Sequence, residues 1–176
     1  MAIDRQKTET VHWHAVFTAS RAEKKVRDRL EELGVECFLP VQTVLRQWTY
    51  RKSRVVVPVI AGLVFVRVSR QEQVKVLQTK GVVAFLRLKG EAGAAVIPDK
   101  QMEGFRFLLD FSEEAVEMTN ENIKAGDLVR VVKGSLRGME GELIRHKGVT
   151  KVLVRIDMLG CAMVNIPASF VEKLNK

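Results

Sequence analysis

The chain has 176 residues, enough for one domain or two small ones, and its composition is that of a folded protein. It contains 29 Lys and Arg residues against 21 Asp and Glu residues, a formal net charge of +8. A basic excess of this size indicates a polyanionic partner such as a nucleic acid. No apolar run approaches the roughly 18 residues that cross a bilayer. Residues 1–10 are polar and mixed in charge, unlike a secretory signal, so we expect no membrane partner.

Residue types that do chemistry are sparse. Cys37 and Cys161 are too few for a disulfide framework, which favours a cytoplasmic protein. His12 and His14 share one face of an expected strand, but no Cys, Asp or Glu at ligand spacing lies beside them. No phosphate-binding loop and no nucleophile next to a base is present. We therefore expect no enzyme activity, no metal and no cofactor.

The first half of the chain predicts strands and helices in alternation. Residues 13–17 alternate with a period of two, as in a strand. Ser20 and Glu23 form a capping box that predicts the start of a helix, and Gly34 ends it. Further strands are expected over residues 35–45, 55–68 (interrupted by Pro58 and Gly62) and 82–88, and helices over 70–78 and from Pro98 onward.

The second half has a different pattern. Residues 112–122 are mostly acidic or amide side chains with little to bury, which predicts a linker. Short apolar strands separated by glycines follow at 128–132, 142–146, 152–156, 162–166 and 170–174. Five short strands within about 50 residues are typical of a small β-barrel.

Charge is unevenly distributed along the sequence. Residues 46–89 contain ten basic residues and one acidic residue, a net +9, whereas residues 91–121 have a net charge of −6. The segment 46–54 (RQWTYRKSR) combines basic residues, which attract phosphates, with aromatic rings on which bases stack. A solvated hairpin with no ligand explains the same segment equally well.

An apolar run at residues 59–66 (VIAGLVFV) is the second candidate for binding. Its alternation places Leu63 and Phe65 on one face of a strand and Val64 and Val66 on the other. If one face stays open, with Phe17 beside it, the patch would mark a protein partner. The alternative is that all these residues belong to the core.

Taken in order, these segments resemble the NusG family of transcription elongation factors over residues 13–174. The resemblance rests on residues 13–18 (WHAVFT), 61–66 (AGLVFV) and 126–131 (GDLVRV). It implies an α+β protein with an NGN domain at 11–111 (an antiparallel sheet flanked by helices), an acidic linker at 112–122 and a KOW domain, an SH3-like β-barrel, at 123–176. The KOW turn would contain Gly126, Asp127, Gly134, Gly138 and Gly141.

Within the family, the stretch at residues 46–52 most resembles the Bacteroides-type UpxY paralogues, which act on long polysaccharide-biosynthesis operons. The resemblance implies that the NGN domain docks on the clamp helices of the largest RNA polymerase subunit and reduces pausing or termination. The matching polymerase-binding positions are Phe17, Ile60, Leu63, Phe65 and Phe85. Ile60 stands where an aromatic residue is usual, and Leu63 replaces a tyrosine.

Nucleic acid is the second expected partner, as non-template DNA or nascent RNA. The resemblance implies contacts from Arg21, Lys25, Arg29 and Lys80, and the basic segment adds Arg51, Lys52 and Arg54. The KOW domain of relatives recruits a ribosomal protein or a termination factor, and we expect a monomer. An alternative function is a KOW-type RNA- or ribosome-binding protein, in which residues 122–176 alone would bind RNA.

Overall fold

The computed structural model describes residues 9–175, which form two compact units. The first comprises residues 9–39 and 62–96, and the second comprises residues 40–61 and 97–175. Most of the polar N-terminal stretch, and Lys176 at the end of the predicted barrel, lie outside the described residues. No helix within residues 9–175 is long and apolar enough to cross a membrane.

The elements follow one another in this order: β1 (His12–Thr18), α1 (Glu23–Glu32), β2 (Glu36–Phe38), β3 (Val41–Trp48), β4 (Arg51–Pro58), β5 (Leu63–Val68), α2 (Glu72–Leu77), β6 (Val82–Phe85), α3 (Asp99–Phe111), β7 (Glu117–Thr119), β8 (Asp127–Val131), β9 (Glu140–His146), β10 (Val149–Ile156), β11 (Gly160–Asn165) and β12 (Val171–Lys173). A 3₁₀ turn, Ala168–Phe170, precedes the last strand. The mixed α/β content agrees with the sequence prediction.

The first unit is built on an antiparallel sheet with the strand order β2-β5-β1-β6. Its two central strands are rich in β-branched residues, which suit a pleated surface. Val16 pairs with Val64 on one face and Ala15 pairs with Phe65 on the other, and all four side chains are buried. The core of this unit therefore includes both faces of β1 and β5.

The start of α1 differs from the predicted capping box. Ala22 occupies the N-cap position without a side-chain cap, and the helix begins at Glu23. The Glu23 carboxylate accepts a hydrogen bond of 2.7 Å from the backbone amide of Gly62. The capping prediction is wrong because this carboxylate binds the turn before β5 instead of its own helix end.

The second unit contains a β3–β4 hairpin, α3 and a six-stranded antiparallel sheet in the order β12-β8-β9-β10-β11-β7. The five strands predicted after residue 122 all form. Helix α3 begins after Pro98, as predicted, and buries Met102, Phe105 and Leu108.

Part of the predicted acidic linker is a strand of this sheet. Strand β7 pairs with β11, and Lys151 donates a hydrogen bond of 2.7 Å to Glu117. The side-chain amide of Gln42 exchanges two hydrogen bonds, of 2.9 and 3.2 Å, with the backbone of Val116, which is buried. Residues 116–119 are thus held by partners distant in sequence. The domain boundaries 11–111, 112–122 and 123–176 stay a prediction.

Candidate functional site

The apolar residues expected to meet a protein partner are mostly buried. Phe17 lies opposite Leu63 and Ala15 lies opposite Phe65, so these side chains share one face of the sheet. Phe65 stacks on Phe38, with ring centroids 6.2 Å apart. Leu63 is 2 % exposed and Phe65 is fully buried, whereas Phe17 is 42 % exposed. Of the two alternatives, an open face or the core, Leu63 and Phe65 belong to the core, and their binding role stays a prediction.

The structure does not gather the five predicted positions on one face. Phe85 pairs with Val16 and therefore lies on the face opposite to Phe17. Its buried ring meets the ring of His14 edge-on, with centroids 5.8 Å apart. Ile60 is half-buried in the segment between β4 and β5, which belongs to the second unit.

His14 is a buried structural residue of the first unit. Its Nδ1–H donates a hydrogen bond of 2.8 Å to the Ala95 carbonyl, and its Nε2 lies 3.4 Å from the Gln73 amide nitrogen. Burial lowers the pKa of His14, and the charge of His12 lowers it further, although the Ala95 hydrogen bond opposes both. Among residues 9–175, no group of three or more His, Cys, Asp or Glu side chains could hold a metal ion.

Arg21, Lys25, Arg29 and Lys80 are here called the basic cluster around α1, and their contact with nucleic acid stays a prediction. Lys25 and Arg29 are four residues apart in α1 and so lie on one side of the helix, whereas Arg21 lies in the turn before the helix with a φ of 57°. The Arg29 guanidinium donates a hydrogen bond of 2.7 Å to the carbonyl of Lys80, in the loop before β6. Arg21, Lys25 and Lys80 are exposed. The structure therefore brings Arg29 to the loop that carries Lys80, 51 positions away in the chain.

Gly81 fixes the position of Lys80, a role that the sequence reasoning did not assign. Its carbonyl accepts a hydrogen bond of 2.8 Å from the amide of Ala19, just after β1. Gly81 has a φ of +99°, and a Cβ there would lie 2.8 Å from a methyl group of Val26. Only glycine fits this close, left-handed turn. A glycine immediately before a predicted strand was the available signal.

The other predicted basic residues lie on the β3–β4 hairpin and are divided between its two faces. Arg51 pairs with Trp48, Lys52 with Gln47, and Arg54 with Leu45. Because side chains alternate along a strand, Arg51 points to one face while Lys52 and Arg54 point to the other. All three are exposed.

Of the predicted KOW residues, Gly134 and Gly138 lie between β8 and β9, Gly126 precedes β8, and Asp127 and Gly141 lie within strands β8 and β9. Gly134 and Gly138 have φ values of +82° and +91°, which favour glycine. A side chain at Gly141 or Gly126 would collide with the backbone of the neighbouring strand. Asp127 begins β8 and forms an ion pair of 2.9 Å with Lys173.

An ion pair that the sequence did not reveal holds the start of this sheet together. Arg155 donates two hydrogen bonds to Glu142, of 2.6 and 2.9 Å, and a third of 3.0 Å to the Ile123 carbonyl. Glu142 also accepts a hydrogen bond of 3.0 Å from the amide of Gly126. Burial raises the pKa of Glu142, but these bonds outweigh it, so that its pKa lies below the ordinary value.

Comparison with known proteins finds a family model that matches the first part of the chain. The family model described as "Transcription termination factor nusG" matches residues 11–106, more than half of the chain. Among solved structures, "Domain interaction in Thermotoga maritima NusG" is similar with a TM-score of 0.50 and 22 % identity. The match covers 94 % of this chain and 98 % of that one. At this identity the likeness shows the fold alone.

Two further structures are similar over most of the chain but superpose poorly. They are described as the MjSpt4:Spt5 complex in conformations B and A, each 17 % identical, with TM-scores of 0.31 and 0.25. Both matches cover 93 % of this chain, and they cover 97 % and 99 % of the other chains. No curated protein sequence matches the chain.

The Glu142–Arg155 pair makes a testable contribution to stability. We expect Glu142→Gln to lower the free energy of unfolding by about 1.5–3 kcal/mol at neutral pH, because it removes charge-assisted hydrogen bonds. Glu140→Gln is the matched control. Glu140 lies on the same strand as Glu142, but its ion pair with Arg130 of β8 is exposed to solvent. We expect the control to leave stability nearly unchanged, as measured by urea denaturation.

The pH dependence follows from the lowered pKa of Glu142. The contribution of the pair is complete above the ordinary glutamate pKa of 4.5 and is lost as the pH falls through the lowered folded-state pKa. Between the ordinary pKa and the lowered folded-state pKa, the wild type should therefore lose stability more steeply with falling pH than Glu142→Gln does. Parallel curves of stability against pH would contradict this assignment.

Proposed function

Because the chain belongs to the NusG family of transcription factors, we propose that it is an elongation and antitermination factor that binds RNA polymerase through residues 11–111. The observation that carries the proposal is the family match over residues 11–106, which includes the whole four-stranded sheet. The proposed contact on the polymerase is the clamp helices of the largest subunit, and no catalytic step is involved.

Exposure divides the predicted polymerase-binding residues by role. Phe17 and Ile60 are accessible and are proposed to touch the polymerase directly. Leu63 is the cross-strand partner of Phe17 in the β1–β5 pairing and is proposed to hold the Phe17 ring in position. Phe65 and Phe85 are buried and act by keeping the sheet in shape. An aromatic ring that is half-exposed at the end of a strand is a suitable anchor for a protein interface.

The basic cluster around α1 is the proposed contact to nucleic acid, as non-template DNA or nascent RNA. Arg21, Lys25 and Lys80 present their side chains to solvent, and Arg29 orients the loop that carries Lys80. Cations grouped in this way attract phosphates and position a strand without reading its bases. The cluster would steer the protein once the polymerase holds it.

The C-terminal sheet is proposed to be a KOW domain with an SH3-like barrel fold. The turn glycines at positions 134 and 138 and the order of strands β8 to β12 support it. Its proposed partner is a ribosomal protein or a termination factor. The alternative function, an RNA- or ribosome-binding protein acting through residues 122–176, would not require the apolar contact at Phe17.

Phe17 tests the polymerase contact. Phe17→Ala is expected to weaken co-purification with RNA polymerase by about tenfold or more, which corresponds to ~1.4 kcal/mol of binding free energy. Leu77→Ala on α2 is the matched control, because Leu77 is also 42 % exposed. Equal polymerase binding by both variants and the wild type would show that Phe17 is not part of the interface.

Salt dependence tests the basic cluster. Lys25→Ala and Lys80→Ala should each weaken binding to a DNA duplex and reduce the slope of log affinity against log salt by about 0.9. Arg70→Ala removes the same charge at the opposite end of the sheet, since Arg70 follows Val68, the partner of His12. If Arg70→Ala reduces the slope as much, the binding is diffuse and the cluster is not the site.

The range of target genes tests the narrower proposal of a UpxY-type factor. Genome-wide occupancy of the tagged protein should peak on one or a few long operons of the polysaccharide-biosynthesis type. Occupancy of all active transcription units would instead indicate a general elongation factor and would remove this specialisation while leaving the family role intact.

A further inference from the structure

The β3–β4 hairpin is fastened at its base and exposed at its tip. The Gln42 side chain ties the base to Val116, and Val55 and Val57 are half-buried. Every residue from 45 to 52, by contrast, is exposed. Side chains at the tip therefore contribute little to folding.

Two aromatic rings lie at this tip with nothing to cover them. Trp48, the last residue of β3, is 56 % exposed, and Tyr50, in the turn, is 98 % exposed. Aromatic rings usually contribute to stability by burying a large apolar area. Rings that remain in solvent make no such contribution, but they offer flat faces on which unpaired bases stack.

The charge around these rings is positive and unneutralised. Arg46 and Trp48 share a face of β3, and their partners on β4 are Ser53 and Arg51. Residues 37–71 contain no acidic side chain. Trp48 therefore lies between two arginines, with no carboxylate on the hairpin to compete for them.

The arginines are also free to bind. Within residues 9–175, Arg46, Arg51, Lys52 and Arg54 take part in no ion pair and no side-chain hydrogen bond. Within the paired strands, the opposite face of the hairpin bears Leu45 with Lys52 and Arg54 but no aromatic ring, and Tyr50 lies in the turn between the strands. Among the paired residues of the hairpin, an aromatic ring and unpaired guanidinium groups therefore occur together on the face of Arg46, Trp48 and Arg51.

We propose that the hairpin tip binds a single nucleic-acid strand, with bases stacked on Trp48 and Tyr50 and phosphates contacted by Arg46 and Arg51. A duplex keeps its bases stacked on one another, so that only the arginines can meet it. Unpaired cations lie on both faces of the hairpin, two of them arginines on the face of Trp48, and this favours a polyanion over an apolar protein groove. The inference rests on the proposed function, in which the protein contacts nucleic acid near the polymerase. It adds that the nucleic acid bound at the hairpin tip is single-stranded.

The test measures binding of the full-length protein to fluorescent oligonucleotides of roughly 12 nucleotides, a length typical of single-strand sites. Single-stranded DNA, single-stranded RNA and the matching duplex are compared. Trp48→Ala and Tyr50→Ala should each lower affinity for a single strand by about 5- to 150-fold. The salt slope should stay unchanged, because neither variant removes a charge. Trp48→Phe and Tyr50→Phe should largely restore affinity.

Two controls separate stacking from other effects. Leu45→Ala removes an exposed apolar side chain from the opposite face of the same hairpin and should bind as the wild type does. Arg51→Ala should reduce the slope of log affinity against log salt by about 0.7, the value for a single-strand phosphate. Trp48→Ala should weaken binding to one type of single strand, DNA or RNA, more than to the other. The type whose binding is weakened more is the ligand of the tip.

Three outcomes would overturn the proposal. One is unchanged single-strand affinity in both alanine variants, and another is an equal loss of affinity for the duplex. The third is loss of polymerase co-purification in Trp48→Ala with oligonucleotide binding intact, which would assign the tip to a protein partner. Failure of the wild type itself to co-purify with polymerase would refute the proposed function and leave the oligonucleotide result standing.

Discussion

The pairing of β1 with β5 is the constraint on which the first unit depends. Both faces of these strands are buried, and each large apolar side chain placed there contributes roughly 1.5–3 kcal/mol. A side chain used in this way is not available to a partner. Recognition is left to the ends of the strands and the loops between them, where Phe17, Lys80 and the start of α1 are found. The same pairing places Gly62 where its amide can meet Glu23.

Pairing between charges decides where the net charge of +8 can act. In the six-stranded sheet, Arg155, Lys151 and Arg130 each contact a glutamate, so these three charges are neutralised locally. On the hairpin, no basic side chain has such a partner within residues 9–175. The hairpin therefore carries positive charge that no neighbouring carboxylate offsets, since residues 37–71 contain no acidic side chain.

Element positions follow from the sequence more closely than side-chain environments do. Period-two alternation and β-branched runs predict the strands because each depends on neighbouring residues alone. The face of Phe85 is not predictable in this way. It depends on the register shift between Phe17 and Thr18, which leaves no period in the sequence. The short strand β7 cannot be predicted from its own residues for a similar reason. Lys151 and Gln42, which hold this segment by hydrogen bonds, are distant from it in the chain.

Burial also determines which residues report on binding. Leu63→Asp would place a charge at a position that is 2 % exposed, so its main effect would be to unfold the sheet. The basic and aromatic residues of the hairpin tip are different, because the Gln42–Val116 hydrogen bonds hold the hairpin at its base and every residue from 45 to 52 is exposed. Substitutions at Trp48 and Tyr50 change the chemistry of the surface while the hydrogen-bonded ladder stays in place. The exposed residues are therefore the positions at which a loss of affinity measures recognition directly.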